Sequence, residues 1–416
     1  MLEITTFEAG GLRVVCAPGA TDVVYAGITV DAGTRDEKDT ESGIAHFVEH
    51  MSFKGTARRT SIQVLNRMEN VGADLNAFTT KEDTTYYSVF LREHLARAID
   101  LLLDITFHST FPQTEMDKEV EVVCDEIESY NDSPSELIYD DFESLLFPEH
   151  PLGRSILGNA NRLHEFRTAD LQAFTSRLYR PQNAVMFVMG HVRPEEVRRL
   201  VERGCATYPC VAAGEERVAR KAPDVIGGKT AGKAEPIVMN KGVHQAHVVL
   251  GSRAYPVTHP LYMAAALMNN ILGGPGLNSR FSISLRERRG LVYTVESTLT
   301  AYTDTGAWTT YFGCDPADVR RCLRLVGTEL RHLIERPLTA NQLSAAKRQM
   351  KGQLGVSYDN FENVAIAMGK RYLHHGLTTT PEELLSKIDA VTAEELQQAA
   401  AELLAPEAIK TLIYMP

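Results

Sequence analysis

The sequence predicts an α+β protein built from two copies of one folding unit. Its 416 residues exceed what a single hydrophobic core usually holds. Residues 211–235 are rich in Ala, Gly, Lys and Glu and poor in large apolar residues, as expected of a surface linker. On the two sides of this linker, the sequence repeats one pattern of strand and helix signals.

The repeated pattern is a β-like stretch, a helical stretch, and a second helical stretch that begins near a threonine. TTYYSVFLREH is followed by LARAIDLLLDITFH in the first half, and WTTYFGCDPAD by VRRCLRLVGTELRHLIE in the second. Thr114 and Thr339 then occupy equivalent places as predicted N-caps. A duplicated α+β unit explains this best, and two unrelated α+β domains are the alternative. We therefore expect domains at 1–210 and 236–416.

Strand-like stretches lie between the helical patterns in both halves. The predicted strands are 12–17, 23–32, 83–91, 184–190, 246–252 and 307–312. Such strands mixed with long helices predict, for each half, a mostly antiparallel sheet with helices packed on one face.

Composition and charge exclude several classes of function. The net charge of −11 argues against a nucleic-acid-binding protein, because phosphate contacts need a basic surface. It favours instead the attraction of peptides rich in Lys or Arg. No apolar run is long enough for a membrane span and the first residues lack a signal-peptide pattern, so we expect a cytoplasmic protein. The cysteines form no CxxC pair, which argues against a zinc site made of cysteines.

The motif that carries chemistry is GIAHFVEHMSFKGT, residues 43–56. On a helix, His46 and His50 are one turn apart on one face, so both imidazoles can point at one metal ion. Two such ligands suit zinc, and Glu49 is close enough to act as a general base without being a ligand. The alternative is a helix with two surface histidines and a nearby acid.

A catalytic zinc usually has a third protein ligand, and the stretch EMDKEVEVVCDEIES offers candidates. Glu119 and Glu126 are two helical turns apart on one face. Glu126 is the candidate ligand, and Glu119 is the candidate partner that orients a histidine. We interpret the remaining acids of this helix as a solvated face: Glu115, Glu121 and Glu128.

HFVEH followed by Glu126 resembles the zinc peptidases of the superfamily that includes mitochondrial processing peptidase, pitrilysin and insulin-degrading enzyme. GLRVVCAP, VDAGTRDE and GADLNAFTTKEDTTYY are similar to the first half of these proteins. NNILGGPGLNSRFSISLRERRGLVYTVES and AYTDTGAW are similar to the second half of the short bacterial members. The resemblance covers nearly the whole chain. It implies a zinc-dependent endopeptidase that cleaves peptides or unfolded segments inside a closed chamber. The two domains of the chain would form one half of this clam-shell chamber.

The resemblance assigns roles by position. The zinc ligands are His46, His50 and Glu126, the general base is Glu49, and the carboxylate behind the ligands is Glu119. The second half of the family contributes an Arg and a Tyr, which match Arg286 and Tyr293 in RERRGLVY. A guanidinium and a phenol are suitable donors to a developing oxyanion or to the substrate backbone. From the residues alone, Arg286 would be a surface charge and Tyr293 a core aromatic.

Two further stretches match substrate-binding places of the family. LNAFTT matches an edge strand to which a peptide adds as an extra strand, so Asn76, Ala77 and Phe78 are candidates. An ordinary strand is the alternative. Glu136 and Asp140, on one helix face, match acids that hold an arginine near the cut in processing peptidases. A solvated acidic stretch is the alternative for this pair.

Only one zinc ion per chain is expected, since HxxEH does not recur after residue 230. GGPG at 273–276 is not followed by the GK[ST] of a phosphate loop, so no nucleotide site is expected. It resembles the glycine-rich loop of the family, as a hinge or a substrate contact, with a simple turn as the alternative.

The expected partners are peptide substrates and a second copy of the chain. Both sets of functional residues lie in one chain, so a homodimer is expected, and a heterodimer with a related inactive chain is the alternative. The rival function is a non-catalytic structural or partner subunit. Such a scaffold has no need to keep the motif set His46, Glu49, His50 and Glu126.

Overall fold

The computed structural model describes residues 4–19, 21–207, 220 and 235–416. The strands are β1 (Thr5–Ala9), β2 (Leu12–Pro18), β3 (Val23–Val30), β4 (Asp74–Thr79), β5 (Thr84–Leu91), β6 (Ala184–Gly190), β7 (Ile237–Asn240), β8 (Ala246–Ala254), β9 (Val292–Ala301), β10 (Gly306–Cys314) and β11 (Lys410–Met415). The helices are α1 (Ile44–Met51), α2 (Ser61–Glu69), α3 (Leu95–Phe107), α4 (Gln113–Asn131), α5 (Pro134–Leu146), α6 (Ala160–Leu163), α7 (Thr168–Leu178), α8 (Pro194–Thr207), α9 (Tyr262–Gly273), α10 (Val319–Glu335), α11 (Ala340–Ser357), α12 (Phe361–His375), α13 (Pro381–Ala390) and α14 (Ala393–Leu403). A π-helical segment, Ser282–Glu287, lies between α9 and β9. Among the helices of the described residues, none has the length and apolar composition that a bilayer crossing requires.

The described residues form two compact units, each made of several stretches of chain. Unit 1 contains those of Met1–Ser129, Arg154–Arg220 and Tyr358–Thr380, and unit 2 those of Tyr130–Gly153, Lys221–Ser357 and Pro381–Pro416. This division differs from the predicted domains 1–210 and 236–416, because two helical segments belong to the unit of the opposite half. The predicted linker 211–235 lies outside the described residues, except for Arg220 and Glu235.

Unit 1 is built on a six-stranded sheet with the strand order β1-β2-β6-β3-β5-β4. β2 and β6 are parallel, and all other neighbours are antiparallel. β6 is buried along its whole length, as expected of a strand covered on both faces. β4 is at the edge of the sheet, so one side of its backbone has no neighbouring strand among the described residues.

Unit 2 is built on a five-stranded sheet with the strand order β7-β11-β8-β10-β9. β7 and β11 are parallel, and the other neighbours are antiparallel. This is the pattern of β2-β6-β3-β5-β4, so the predicted repeat is visible in the strand topology. The predicted α+β class with two mostly antiparallel sheets is confirmed.

Helices cover both faces of each sheet, whereas the sequence predicted helices on one face only. In unit 1, α1, α3 and α7 pack on one face and α12 on the other. In unit 2, α9, α10 and α14 pack on one face and α5 on the other. The central strands carry apolar side chains on both faces, so a second layer of helix is needed to exclude water. α12 comes from the second half of the sequence and α5 from the first, so the halves exchange these helices.

The predicted strands correspond to β2, β3, β5, β6, β8 and β10. Thr339 caps α11 as predicted: its hydroxyl accepts the Gln342 N–H at 3.4 Å, and the Gln342 side chain accepts the Thr339 N–H at 3.0 Å. The same prediction is wrong for Thr114, the second residue of α4. The Pro112 carbonyl accepts the N–H of Met116, so the first turn begins before Thr114.

The turn between β4 and β5 is fixed by a buried ionic cluster in unit 1. The Glu82 carboxylate accepts a hydrogen bond of 2.7 Å from Arg35, and its backbone carbonyl accepts one of 2.6 Å from Arg220. Arg220 also donates to Asp36 at 2.6 Å. Buried charges of opposite sign compensate one another's loss of hydration, so this cluster holds the turn at one place.

Candidate metal centre

Helix α1 presents the two histidines of the motif, and its first turn is anchored from outside the helix. It begins after Gly43, whose φ of 87° lies in the left-handed region that favours glycine. The Glu37 carboxylate accepts the N–H groups of Gly43 and Ala45 at 3.1 and 3.0 Å, which have no partner within the helix. Burial raises the pKa of Glu37 to about 8. This anchor fixes the turn from which His46 and His50 project.

His46, His50 and Glu126 converge in unit 1, as the sequence predicted. Glu126 Oε2, on α4, lies 3.8 Å from His46 Nε2 and 3.4 Å from His50 Nε2. Among the described residues, these three side chains form a group that could hold a metal ion, with ligand atoms within 4.8 Å of one another. A tetrahedral zinc ion with ligands at about 2.0–2.1 Å holds neighbouring ligand atoms about 3.3–3.4 Å apart. The 3.4 Å between His50 and Glu126 matches this spacing, and the longer spacings of the trio would shorten as the three groups closed around one zinc ion.

The protonation state of His46 also fits a metal site. Burial, and then the nearby His50, lower the pKa of His46 to about 3, so its imidazole is neutral near pH 7. Metal ions bind the neutral imidazole. His46 Nδ1 is buried without a hydrogen-bond partner among the described residues, and the 3.8 Å from Nε2 to Glu126 is too long for a hydrogen bond. An ion bound at Nε2 would give that nitrogen the partner that it lacks at the 3.8 Å distance to Glu126.

Glu119 holds His50 from the side opposite to Glu126. Its Oε1 lies 3.0 Å from His50 Nδ1, which leaves His50 Nε2 directed at Glu126. Glu119 Oε2 is 2.5 Å from Lys54 Nζ. Burial acts to raise the pKa of Glu119, but His50 and Lys54 outweigh it and hold that pKa below its usual value. A charged carboxylate on Nδ1 fixes the orientation of a metal-binding histidine, which agrees with the role predicted for Glu119.

Glu49 is held by β4 rather than by the ligand cluster. Thr79 Oγ1 donates a hydrogen bond of 2.6 Å to Glu49 Oε2. Burial raises the pKa of Glu49 above its ordinary value, although Thr79 and His50 act in the opposite direction. A buried carboxylate accepts a proton more readily near neutral pH, as a general base must. Sequence reasoning found Glu49 but not Thr79.

β4 directs free backbone groups toward its open edge. The Thr80 N–H bonds the Asp83 carbonyl at 2.8 Å, which makes these two residues a hydrogen-bonded pair of the ladder. Bonded and non-bonded pairs alternate in an antiparallel ladder, so Thr79 and Ala77 direct their N–H and C=O groups away from β5. An added peptide strand would therefore pair with Ala77, one of the predicted substrate-binding residues.

The other two candidates on β4 differ from Ala77. Asn76 and Phe78 direct their backbone groups toward β5, so only their side chains are available. The Asn76 side chain is exposed. The Phe78 ring lies 6.2 Å from the Tyr87 ring, and Lys370 Nζ is 4.8 Å from its centre. The Phe78 side chain thus packs within unit 1.

Arg286 and Tyr293 come together in unit 2. The Arg286 guanidinium, in the π-helical segment, lies 5.7 Å from the centre of the Tyr293 ring on β9. Tyr293 is 86% exposed, which excludes the alternative of a core aromatic. Both residues line a cavity of about 390 Å³ that also includes the loop Gly273–Gly276. Two donors exposed side by side are available to a ligand.

Glu136 and Asp140 lie one turn apart on α5, in unit 2. Glu136 is exposed and Asp140 is half-buried. Burial, and then the charges of Asp140 and Glu136, raise the pKa of the neighbouring Tyr130. This acidic patch would attract a basic side chain. Its assignment to substrate binding stays a prediction.

The fold and the trio define a two-unit α+β protein with an H-x-x-E-H metal centre. The profile of "Insulinase (Peptidase family M16)" matches residues 13–160, and that of "Peptidase M16 inactive domain" matches residues 165–350. The chain is 31% identical over 404 residues to the "Uncharacterized zinc protease YmxG" of Bacillus subtilis, with 97% of this chain and 96% of the relative covered. It is 32% identical over 396 residues to an uncharacterized zinc protease of Mycobacterium tuberculosis, with 95% and 89% covered. The chain therefore belongs to peptidase family M16.

Solved structures show the same fold. A protease from Helicobacter pylori matches with a TM-score of 0.90 at 22% identity, covering 100% of both chains. A peptidase M16 inactive domain from Pseudomonas fluorescens matches with a TM-score of 0.88 at 20% identity, covering 100% of this chain and 98% of that chain.

Proposed function

We propose that the chain is a zinc-dependent endopeptidase that cleaves peptides or unfolded polypeptide segments. The observation that carries this proposal is the convergence of His46 Nε2, His50 Nε2 and Glu126 Oε2 beside the buried carboxylate of Glu49. Relatives that match along nearly their whole length are named zinc proteases, which supports it. A non-catalytic partner subunit, the rival function, would not need this arrangement.

Each group of residues in the site has a separate role in the proposed hydrolysis. His46, His50 and Glu126 would hold the metal, and Glu119 keeps the ring of His50 in place. Zinc would supply Lewis acidity for the scissile carbonyl and the attacking water when bound. Glu49 takes a proton from that water and passes it to the leaving amine.

Substrate binding is proposed to use the open edge of β4. Backbone hydrogen bonds to Ala77 accept a peptide with little regard to its sequence, which suits unfolded segments. Asn76 and Phe78 contribute side chains beside it. The acidic pair Glu136 and Asp140 and the net charge of −11 favour peptides with basic residues.

Arg286 and Tyr293 are proposed as donors that stabilise the developing oxyanion. The resemblance further supports cleavage inside a closing chamber, one zinc ion per chain, a homodimer of active chains and a cytoplasmic location. The mass of the purified protein in solution would distinguish a homodimer from a monomer.

The proposal is tested with the wild type, Glu49→Gln and Glu128→Gln, a matched change at an exposed acid of α4. Each protein is assayed on fluorogenic peptides with a central Arg or a central Asp, and its bound zinc is quantified. We expect the wild type to bind one zinc ion and to cleave, with the Arg peptide preferred. Glu49→Gln should keep zinc and lose activity by about 10³-fold, because the base is removed and the ligands remain. Glu128→Gln should match the wild type.

A wild type that binds no zinc and leaves every unfolded substrate intact would overturn the proposal in favour of the non-catalytic subunit. A Glu49→Gln variant as active as the wild type would remove Glu49 from the mechanism.

A further inference from the structure

We infer that Thr79 is a positioning residue for the general base, and that its hydroxyl fixes the Glu49 carboxylate in the orientation for proton transfer. The inference rests on the proposed function, because Glu49 acts as a general base only if the chain is a peptidase. Thr79 acts through Glu49 and not on the reacting atoms themselves.

The contact has the geometry of a strong hydrogen bond. Thr79 Oγ1 lies 2.6 Å from Glu49 Oε2, within the range of a hydroxyl that donates to a charged carboxylate. The backbone amide of Thr79 acts to lower the pKa of Glu49, as a donor near a carboxylate does. This agrees with the ladder of β4, which directs the Thr79 N–H away from β5. Thr79 therefore directs its hydroxyl, which forms the observed hydrogen bond, toward Glu49, and its backbone amide away from β5.

Glu49 needs this restraint because of its neighbours. It adjoins His50 on α1, and the charges of His50 and Glu126 both act on it. A carboxylate beside these candidate ligands could rotate and become a further ligand, since carboxylate oxygens also bind zinc. Donors on the opposite side keep Glu49 outside the coordination sphere and available to a proton.

Thr79 is itself held in a rigid place. It is the last residue of β4, and the turn that follows is bonded to the segment before α1. The Thr80 carbonyl accepts the Thr34 N–H at 3.3 Å, and the Lys81 carbonyl accepts the Arg35 N–H at 2.8 Å. A donor on a rigid element positions its acceptor better than one on a loose loop.

The same residue also sets the place of the base relative to the substrate. Thr79 and Ala77 are two positions apart on one strand, or roughly 6.6 Å. A peptide paired with the outward backbone groups of Ala77 would run past the carboxylate that Thr79 holds. One strand, β4, therefore positions both the general base, through Thr79, and the substrate-binding edge, through Ala77.

The test compares Thr79→Val, Thr79→Ser and Thr85→Val. Valine keeps the shape and the backbone amide of Thr79 but removes the hydroxyl, and serine restores it. Thr85 is the control, because its buried hydroxyl bonds Thr29 at 3.1 Å on the neighbouring strand and does not face Glu49. We expect Thr79→Val to lower kcat on the order of 10–100-fold with KM nearly unchanged, as for a misplaced catalytic group. Thr79→Ser and Thr85→Val should keep kcat near that of the wild type.

Two further readouts separate positioning from general damage. In the Glu49→Gln background, Thr79→Val should cause little additional loss, because two residues that act as one unit are not additive. In crystals of Thr79→Val without metal, the Glu49 side chain should leave the orientation that it has in the wild type.

The outcomes are distinguishable. A wild type that neither cleaves nor binds zinc defeats the proposed function, and the inference fails with it. If the wild type cleaves while Thr79→Val keeps its kcat, or loses no more than Thr85→Val, the inference alone is overturned. An unmoved Glu49 in the crystals would also overturn it.

Discussion

Lys54 lies at the outer end of a chain of contacts that runs through Glu119 to His50. By holding Oε2 of Glu119, it keeps that carboxylate from turning away from the imidazole. A metal ion bound on the other side of His50 would be stabilised by the negative charge that Lys54 holds in place. Lys54 would therefore support the proposed metal centre, although it touches none of the candidate ligands.

We predict that Lys54→Met weakens zinc binding by about tenfold, the low end of the effect of changes behind metal ligands. The measurement is a titration against a zinc chelator of known affinity. Lys118→Met is the control, since Lys118 forms an exposed pair of 2.8 Å with Glu115 on the same helix as Glu119. Equal zinc affinities of the two variants would contradict the role of Lys54.

Local periodicity was sufficient to predict the candidate ligands and Glu119, but not Lys54 and Thr79, the residues that hold Glu119 and Glu49. His46 and His50 share a helix face by spacing alone, and Glu126 follows from Glu119 in the same way. Lys54 and Thr79 lie on other elements, because α1 ends at Met51 and β4 reaches Glu49 only in the folded chain. No spacing rule connects such residues, so their roles need the tertiary structure.

At the scale of elements, α12 covers the outer face of the unit 1 sheet at close range. A Cβ on Gly369 would lie 2.5 Å from Phe187 Cδ1 of β6, so glycine is required for this approach. Gly352, in the interior of α11, has no atom within 4 Å of such a Cβ. Alanine substitutions at these two positions therefore distinguish the effect of packing on stability from the effect of helix propensity.

We predict opposite effects of alanine at these two positions. Gly369→Ala should lower the free energy of unfolding by about 1–2 kcal/mol, because overpacking outweighs the gain in helix propensity. Gly352→Ala should raise it by about 0.5–1 kcal/mol, because only the propensity changes. Urea denaturation of both variants checks the signs. Stabilisation by Gly369→Ala would show that α12 has room to move away from the sheet.

The polar end of α12 is tied to the turn after β4. Asp83 lies 2.7 Å from Lys370 Nζ and 3.0 Å from His374 Nε2. Burial acts to raise the pKa of Asp83, but the hydrogen bond with His374 and the charge of Lys370 outweigh it, so that pKa lies below its ordinary value. A depressed folded-state pKa stabilises the fold above the unfolded value, about 3.9, and this contribution is lost as the pH falls through the folded-state pKa.

We predict that Asp83→Asn lowers the free energy of unfolding by about 3 kcal/mol near pH 7, because it leaves the Lys370 ammonium and the His374 ring without their buried acid. The difference from the wild type should narrow as the pH falls below about 4, because Asp83 of the unfolded wild type takes up a proton there, whereas the folded form does so only at its lower pKa. Asp389→Asn, in an exposed pair of 2.7 Å with Lys351, should cost less than about 1 kcal/mol. A difference that persists unchanged at pH 3 would contradict the ionic role of Asp83.

At the scale of the whole molecule, the sequence predicted the repeat but not the exchange of helices between the halves. The pattern of strands and helices recurs along the chain, and it defines both sheets. Nothing in the local pattern of α5 or α12 specifies which sheet it will cover, since any apolar helix face fits a sheet face that is apolar too. Which pairing forms depends on contacts distant in sequence, such as Asp83 with α12 and the apolar contacts of α5 with β8 and β11.

This exchange predicts that neither half of the chain folds properly alone. A fragment of residues 1–207 lacks α12, so the outer side chains of β2 and β6, including Val15 and Phe187, would face water. Its α5 would in turn lack the unit 2 sheet, against which Phe142 is buried. Each exposed apolar surface costs roughly 25 cal/mol per Å² and promotes association. We expect the fragment to be aggregated or to bind a hydrophobic dye.

Production of residues 1–207 together with residues 235–416 should restore soluble protein, because each fragment then receives its missing helix. A fusion of 1–207 to 358–380 through a flexible linker should rescue the fragment only in part, since α5 still lacks its sheet. The measurements are soluble yield, dye binding and bound zinc for all three preparations. If 1–207 alone is monomeric, binds zinc and excludes the dye, each half is a self-sufficient domain and the exchanged helices are dispensable additions. If only co-production of the two fragments restores soluble protein, the exchange of α5 and α12 is what joins the two halves into one folding unit.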